Sequence, residues 1–330
     1  MSRKKQEFIK NFSKISKNDV SIAGGKGASL GEMTCLFGGQ AQANPVPPGF
    51  IILASAFEYF MENTPKSPVA ETGLDIEAQL ARVNYDDTNS IDQASNIIRD
   101  IMQDTMIPGP LAKEILSEFK KLKAEYVAVR SSATAEDSSV ASWAGELETY
   151  LNTRGEGLLT NVKKCWSSLF TPRAIFYRYE KKLVDQKVSV AVVVQKMVQS
   201  EISGICFTVH PITKDKNQMV IEAGYGLGEA IVSGQITPDT YVIDKRDFSL
   251  SDINVAEQEK MLIKNAKGGN IWKPVPKADR NKQTLTGKEI IELAKLCAKI
   301  EKHYKKPQDI EWALEKGKFY ITQSRPITTL

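Results

Sequence analysis

The sequence predicts an α+β protein of two lobes, on three observations. Its 330 residues are twice the length of a typical domain of about 150 residues, which favours two packed bodies over one small core. Apolar residues recur at helical spacing through the first part of the chain, whereas β-branched runs between turn signals dominate beyond residue 187. Hydrophobic side chains at 42% and charged ones at 25% match an ordinary globular composition and exclude a disordered or fibrous chain. Composition shifts near Asp185, so the lobes are expected at 1–186 and 187–330.

Taken in order, residues 2–15 read as helical. They lead to a glycine-rich turn, Ser21-Ile-Ala-Gly-Gly-Lys-Gly-Ala-Ser-Leu-Gly31, feeding an apolar-periodic helix over 30–37. Pro45, Pro47, Pro48 and Gly49 exclude regular structure before a strand at 50–53 and a helix from Ser55. Over 76–122, Ile91, Ala94, Ile97, Ile98 and Ile101, then Leu111, Ile115, Leu116 and Phe119, repeat at amphipathic spacing on either side of Pro108-Gly109-Pro110. That section reads as scaffold. Strands are expected at 126–129 and 146–151, joined by the small-residue polar segment 131–145, a loop long enough to be functional. A helix over 157–183 with a break at Pro172 precedes strands at 188–198, 202–208, 219–223 and 240–244. The polar stretch 244–283 resists assignment, and 286–304 reads as a capped helix ending before Pro307.

Charge and composition remove several classes of function. Forty-four basic and 40 acidic side chains leave a net charge of +4, too mild for a nucleic-acid-binding face and compatible with a small polyanionic ligand. The longest apolar run, 188–194, is interrupted by Ser189 and falls far short of the ~20 residues of a bilayer span, so no membrane partner is expected. The basic N-terminus is followed by neither an apolar signal core nor a cleavage site, which points to the cytoplasm. Cys35, Cys165, Cys206 and Cys297 show no C-x-x-C spacing and are expected to be buried thiols. With only His210 and His303 present, a histidine-rich metal site or a His-centred triad is poorly supplied.

The clearest chemistry lies at the C-terminal end. Residues 308–325 form two alternating runs around Lys316-Gly317-Lys318, a plausible three-residue hairpin connection. If Glu315 pairs with Phe319, Glu311 falls opposite Gln323 and Asp309 opposite Arg325, all on one face, while Ile310, Trp312, Leu314 and Tyr320 take the other. Carboxylate and amide oxygens suit magnesium, and a neighbouring guanidinium suits a phosphate bridged by that ion. An exposed strand face with a cross-strand ion pair accounts for the same pattern.

Other segments bear on that choice. Lys26 sits among glycines at the start of a helix, where backbone N–H groups and an ammonium could receive phosphate oxygens, although the segment does not match G-x-x-x-x-G-K-[ST]. Arg130 leaves an apolar strand toward a Ser/Thr/Gly loop, equipped for bidentate phosphate contact or, alternatively, for an ion pair with Glu136 or Asp137. The segment from Glu222 to Glu229 has the wrong glycine register for a dinucleotide fingerprint.

In order along the chain, GGKGASLGEM (24–33), VPPGF (46–50), VAVRSSATAEDSSVASWAGELETYLN (127–152), SLFTPRAIFYR (168–178), EAGYGLGEAIVSGQITPDTYVID (222–244) and QDIEWALEKGKFYITQSRP (308–326) resemble the nucleotide-binding domain of the phosphoenolpyruvate synthase and pyruvate phosphate dikinase family, which rifampicin phosphotransferase shares. The resemblance implies a two-lobed ATP-grasp fold, α+β with mixed or antiparallel sheets and flanking helices, that clamps ATP with Mg²⁺. By position it implies phosphate-binding cations at Lys26 and Arg130, metal ligands at Glu311 and Gln323, and Arg325 on the transferred phosphates. Gly145 and Thr149 would cover the phosphates, Gln195, Met197 and Val198 would form the adenine-binding hinge, and Asp309 would stand behind the ligands.

In that family the terminal diphosphoryl unit of ATP passes to a histidine on a swivelling domain, leaving AMP, and one phosphoryl group then reaches the substrate at a third domain. No T-C-H-type motif is present here, since Thr34-Cys35 is followed by Leu36, and both His210 and His303 read as structural. The phosphohistidine swivel domain and the pyruvate- or phosphoenolpyruvate-binding domain are therefore expected as partners on another chain or in a part removed by truncation. The implied activity is the ATP half-reaction of a pyruvate, water dikinase. The same module of rifampicin phosphotransferase, or a non-catalytic nucleotide-binding regulator, are the alternatives.

Overall fold

A computed structural model describes residues 6–38, 44–63, 76–134, 147–184, 188–266 and 268–328. The chain divides into two compact units, Met1–Gly31 with Pro48–Lys196, and Glu32–Pro47 with Met197–Leu330. The change of unit falls at Lys196 rather than at 186, because the strand ending there completes the first sheet. Glu32–Pro47 joins the second unit through contacts such as Ile321 N to the Pro45 carbonyl at 2.9 Å.

The first unit holds an antiparallel sheet in the order β1, β2, β5, β3, β4. These strands are β1 (Ile9–Asn11), β2 (Gly49–Ile52), β3 (Val127–Ala133), β4 (Thr149–Thr153) and β5 (Val190–Lys196). The helical reading of 2–15 is corrected over its described part: Ile9–Asn11 is an edge strand, Ile9 pairing with Ile52, and Phe12–Lys14 is a single 3₁₀ turn. Seven helices accompany the sheet among the described residues: α1 (Val20–Leu36), which continues into the second unit, α2 (Ala54–Asn63), α3 (Ile76–Ala81), α4 (Thr88–Asp104), α5 (Gly109–Leu122), α6 (Gly155–Ser167) and α7 (Pro172–Glu180). The helix expected over 157–183 is two helices. It breaks at the short turn Ser168–Phe170, and Pro172 opens α7 at the position where its missing N–H costs nothing. Thr171 caps that start, accepting from Ala174 N at 3.2 Å.

One sheet face is apolar. Val127 and Val129 of β3, Val190, Val192 and Val194 of β5, and Phe50 and Ile52 of β2 pack in one buried cluster with Phe57 and Phe60 of α2, Ile98 and Met102 of α4, and Val162 and Trp166 of α6. Side chains alternate along a strand, so Ala128, Arg130 and Ser132 of β3 and Ala191, Val193 and Gln195 of β5 emerge on the opposite face.

The second unit is built on a six-stranded antiparallel sheet, β13, β12, β6, β7, β8, β9. Its strands are β6 (Ile202–Phe207), β7 (Gln218–Tyr225), β8 (Asp239–Asp244), β9 (Leu250–Asn254), β12 (Gln308–Glu315) and β13 (Lys318–Pro326). A separate ribbon pairs β10 (Lys260–Lys264) with β11 (Asn270–Pro274), so the unassigned stretch 244–283 supplies three strands. Helix α8 (Glu229–Val232) is a single turn. Helix α9 (Gly287–Tyr304) opens with a capping box, Thr286 and Glu289 bonding reciprocally, and buries Leu293, Cys297 and Ile300. Asp239 is wholly buried and accepts from Thr284 N at 2.8 Å, Tyr241 Oη at 2.9 Å and Ala256 N at 3.0 Å, which fixes the long connection to α9. Three cysteines are buried as expected, but Cys35 is exposed near the end of α1.

Candidate functional site

The second face of the first sheet is organised around one serine. Gly24 interrupts α1 with φ 68° and ψ 173°, a backbone setting that only glycine adopts without strain. A Cβ there would lie 2.2 Å from Ser132 Oγ and 2.3 Å from the Ser132 carbonyl. Ser132, fully buried, donates to the Ala23 carbonyl at 2.9 Å and accepts from Gly27 N at 3.2 Å. This clasp ties the helix start carrying Lys26 to the strand carrying Arg130, two residues away on the same face. Lys26 is therefore in the first turn after the kink, inside α1 rather than in a loop. Arg130 lies within β3 rather than at its end, because the strand runs on to Ala133. Thr149 is the cross-strand partner of Arg130 and is exposed. Gln195 shares this face as the partner of Ala128 and is buried. The structure thus brings Lys26, Arg130, Thr149 and Gln195 to one side of one sheet.

In the second unit the hairpin register decides which side chains meet. Lys316 and Gly317 both have positive φ, 52° and 71°, so the connection is a two-residue turn of the primed type and Glu315 pairs with Lys318, not Phe319. A bulge restores the expected pairing further out, with Trp312 opposite Ile321 but Glu311 opposite Gln323 and Asp309 opposite Arg325. Between turn and bulge the faces are accordingly exchanged. Phe319 is buried beside Leu314 and meets Trp312 edge to face at 5.7 Å, whereas Tyr320 pairs with Ala313 on the carboxylate side.

On that side Arg325 Nε and Nη2 donate to Asp309 Oδ2 at 2.9 and 2.7 Å. Asp309 is the more enclosed partner, its side chain 12% exposed against 41% for the arginine. Gln323 Nε2 donates to Glu311 Oε1 at 2.9 Å, which engages the amide nitrogen and leaves the amide oxygen as the atom a hard cation would take. Among the described residues no three His, Cys, Asp or Glu side chains converge as a metal cage. The Glu311 and Gln323 pair fits an ion that keeps most of its coordination for phosphates and water, as magnesium does.

Sequence reasoning missed Glu222. It stands in the same cross-strand row, Gln323, Glu311, Ile205, Glu222, and burial together with the charge of Asp309 pushes its carboxyl above the usual range. Its signal was the alternation of 219–223, where a single acid sits among apolar residues. Met197 is half-buried and Val198 buried just after β5. Gly145, Glu136 and Asp137 lie outside the described residues. Both histidines have structural contacts: His303 Nε2 bonds Glu32 Oε1 at 2.6 Å, and His210 Nδ1 accepts from Ile212 N and Thr213 N at 3.3 Å each. No helix among the described residues is long and apolar enough to cross a membrane.

Two antiparallel sheets with flanking helices make this a mixed α+β protein. Residues 20–330 match the family profile described as the pyruvate phosphate dikinase AMP/ATP-binding domain, and the chain belongs to that family. It is 47% identical to a probable phosphoenolpyruvate synthase of Archaeoglobus fulgidus over 96% of this chain and 41% of that protein. Identity to the phosphoenolpyruvate synthase of Pyrococcus furiosus is 41%, over 98% and 44%. Identity to the rifampicin phosphotransferase of Bacillus subtilis is 38%, over 98% and 36%. The chain thus spans less than half the length of these relatives.

Proposed function

We propose that this chain is an ATP-grasp module that donates the terminal diphosphoryl unit of ATP to a histidine on a separate swivel domain. The overall reaction would be that of a phosphoenolpyruvate synthase, converting ATP, pyruvate and water to AMP, phosphoenolpyruvate and phosphate in the cytoplasm. The observation that carries this reading is the hairpin pairing of Glu311 with Gln323 and of Asp309 with Arg325, in a chain whose family binds AMP or ATP. Identities of 41% and 47% to two phosphoenolpyruvate synthases, against 38% to the rifampicin enzyme, favour pyruvate as final acceptor, although the probable synthase of Staphylothermus marinus stands at 37%.

Glu311 and Gln323 would hold Mg²⁺ through their side-chain oxygens. Magnesium held there would supply positive charge against the negative charge that develops as the phosphoryl unit moves. Arg325, oriented by Asp309, would lie along the transferred phosphates, and a guanidinium held by a carboxylate loses little entropy on meeting them. Lys26 and Arg130 would be phosphate-binding cations of the first unit, on segments that the Ser132 clasp joins. Thr149 and Gly145 would offer a hydroxyl and an amide to the phosphates, and Gln195, Met197 and Val198 would read the adenine edge through backbone groups. The phosphohistidine domain and the pyruvate-binding domain are the required partners.

The test supplies the chain with β-³²P-labelled ATP, Mg²⁺ and a separately prepared swivel domain. Formation of AMP with label retained on histidine supports the proposal, and release of that label to pyruvate rather than rifampicin identifies the acceptor. Arg325→Ala and Glu311→Ala should abolish transfer while the chain stays folded. ATP binding without AMP formation would instead make the module a nucleotide-binding regulator.

A further inference from the structure

Although the helices over 76–122 read as scaffold in the sequence, one of their side chains reaches the strand that carries Thr149. Arg99 projects from α4, and its Nη2 donates to Glu148 Oε1 at 2.8 Å. Glu148 immediately precedes Thr149, so by strand alternation its side chain leaves on the face opposite to the threonine hydroxyl. Its second carboxylate oxygen accepts a short bond from Tyr150 Oη. Its carbonyl accepts from Ser131 Oγ at 2.9 Å and Ser131 N at 3.2 Å. Burial, then the bond to Glu148, push the Tyr150 hydroxyl above its ordinary range, so it remains a proton donor. Lys164 Nζ covers the Tyr150 ring at 5.4 Å from its centre. Both carboxylate oxygens and the carbonyl of Glu148 are thus engaged one residue before the cross-strand partner of Arg130.

We infer that Arg99 is a positioning residue that acts through Glu148 to set Thr149 beside Arg130. The inference rests on the nucleotide reading above and deepens it. A hydroxyl contributes to phosphate binding only when its setting is held to within about 0.5 Å by a supporting layer of contacts, and here that layer is a helix side chain beneath the sheet. If the pair served stability alone, its loss would weaken every ligand alike. A positioning role instead weakens only ligands that extend past the first phosphate.

The experiment compares dissociation constants for MgATP and for AMP by calorimetric titration, with thermal unfolding of each variant measured alongside. Arg99→Met and Glu148→Gln should each weaken ATP by about tenfold, the size of one charge-assisted hydrogen bond, while AMP affinity stays within about twofold. Thr149→Val should reproduce that ratio. The double variant Arg99→Met with Glu148→Gln should be no worse than either single change, because both act on one contact, and Arg99→Lys should restore most of the loss. Equal losses for ATP and AMP overturn the inference. So does unchanged ATP binding in Arg99→Met where Thr149→Val is impaired. If Arg99→Met loses its cooperative unfolding transition, Glu148→Gln, which keeps the shape of the side chain, decides by the same criterion. Failure of the wild-type chain to bind either nucleotide would defeat the proposed function rather than the role of Arg99.

Discussion

The two sheets solve the same problem differently. Each holds polar side chains in fixed positions, yet in the second unit those groups are matched to each other across a hairpin, Arg325 on Asp309 and Gln323 on Glu311. In the first unit the segments that carry Lys26 and Arg130 are joined by a neutral contact, with Ser132 clasping Ala23 and Gly27. Matched charges hold geometry locally and tolerate partial exposure. A neutral clasp depends on close backbone approach, and so concentrates its vulnerability in the glycine that permits it.

The largest effect should therefore come from Gly24→Ala. Positive φ and a Cβ 2.2 Å from Ser132 Oγ are expected to cost about 3 kcal/mol through combined strain and overpacking, read as a lower urea midpoint with the slope unchanged. A midpoint equal to wild type would break the contrast between the two units. Arg325→Met should cost less, about 2 kcal/mol, because it strands a mostly enclosed Asp309 carboxylate. Adding Asp309→Asn should recover part of that loss, and additive losses would mean the two side chains do not support each other.

The smallest effect concerns Glu222, whose carboxyl is held above its usual range by burial and by Asp309. A carboxyl with a raised folded-state pKa favours the fold only while protonated. That favour is complete below the usual carboxylate range and is lost as pH rises through the raised value. Glu222→Gln is thus expected to raise Tm slightly at pH 7, with the gain fading as pH falls toward the carboxylate range. A gain that persists in acid would assign the effect to packing instead of charge.

The parts of this molecule legible in sequence are those with a local period. The cap and apolar repeat of α9, the valine strand β5 and the outer half of the C-terminal hairpin follow from residues within one turn or two positions of each other. Half of the hairpin misled because a two-residue turn and a bulge offset one another, so the outer register was right while Phe319 and Tyr320 were assigned to the wrong faces. Strands β9 and β11 left little apolar signal because their side chains are mostly exposed. Ser132 and the pair of Arg99 with Glu148 were invisible for a different reason. Their partners lie 109 and 49 residues away, and no periodicity reports a contact at that range.

The bulge opposite the Glu311 to Trp312 step has a consequence for how this hairpin can vary. It absorbs one residue: Trp312 pairs with Ile321 and Glu311 with Gln323, so Thr322 is the extra residue, and losing it would leave Gln323 and Arg325 opposite Glu311 and Asp309 on the same face. Losing Ser324 instead would bring Arg325 opposite Ile310, on the side of the sheet away from Asp309, so the hairpin can shed its surplus residue but not the one beside it.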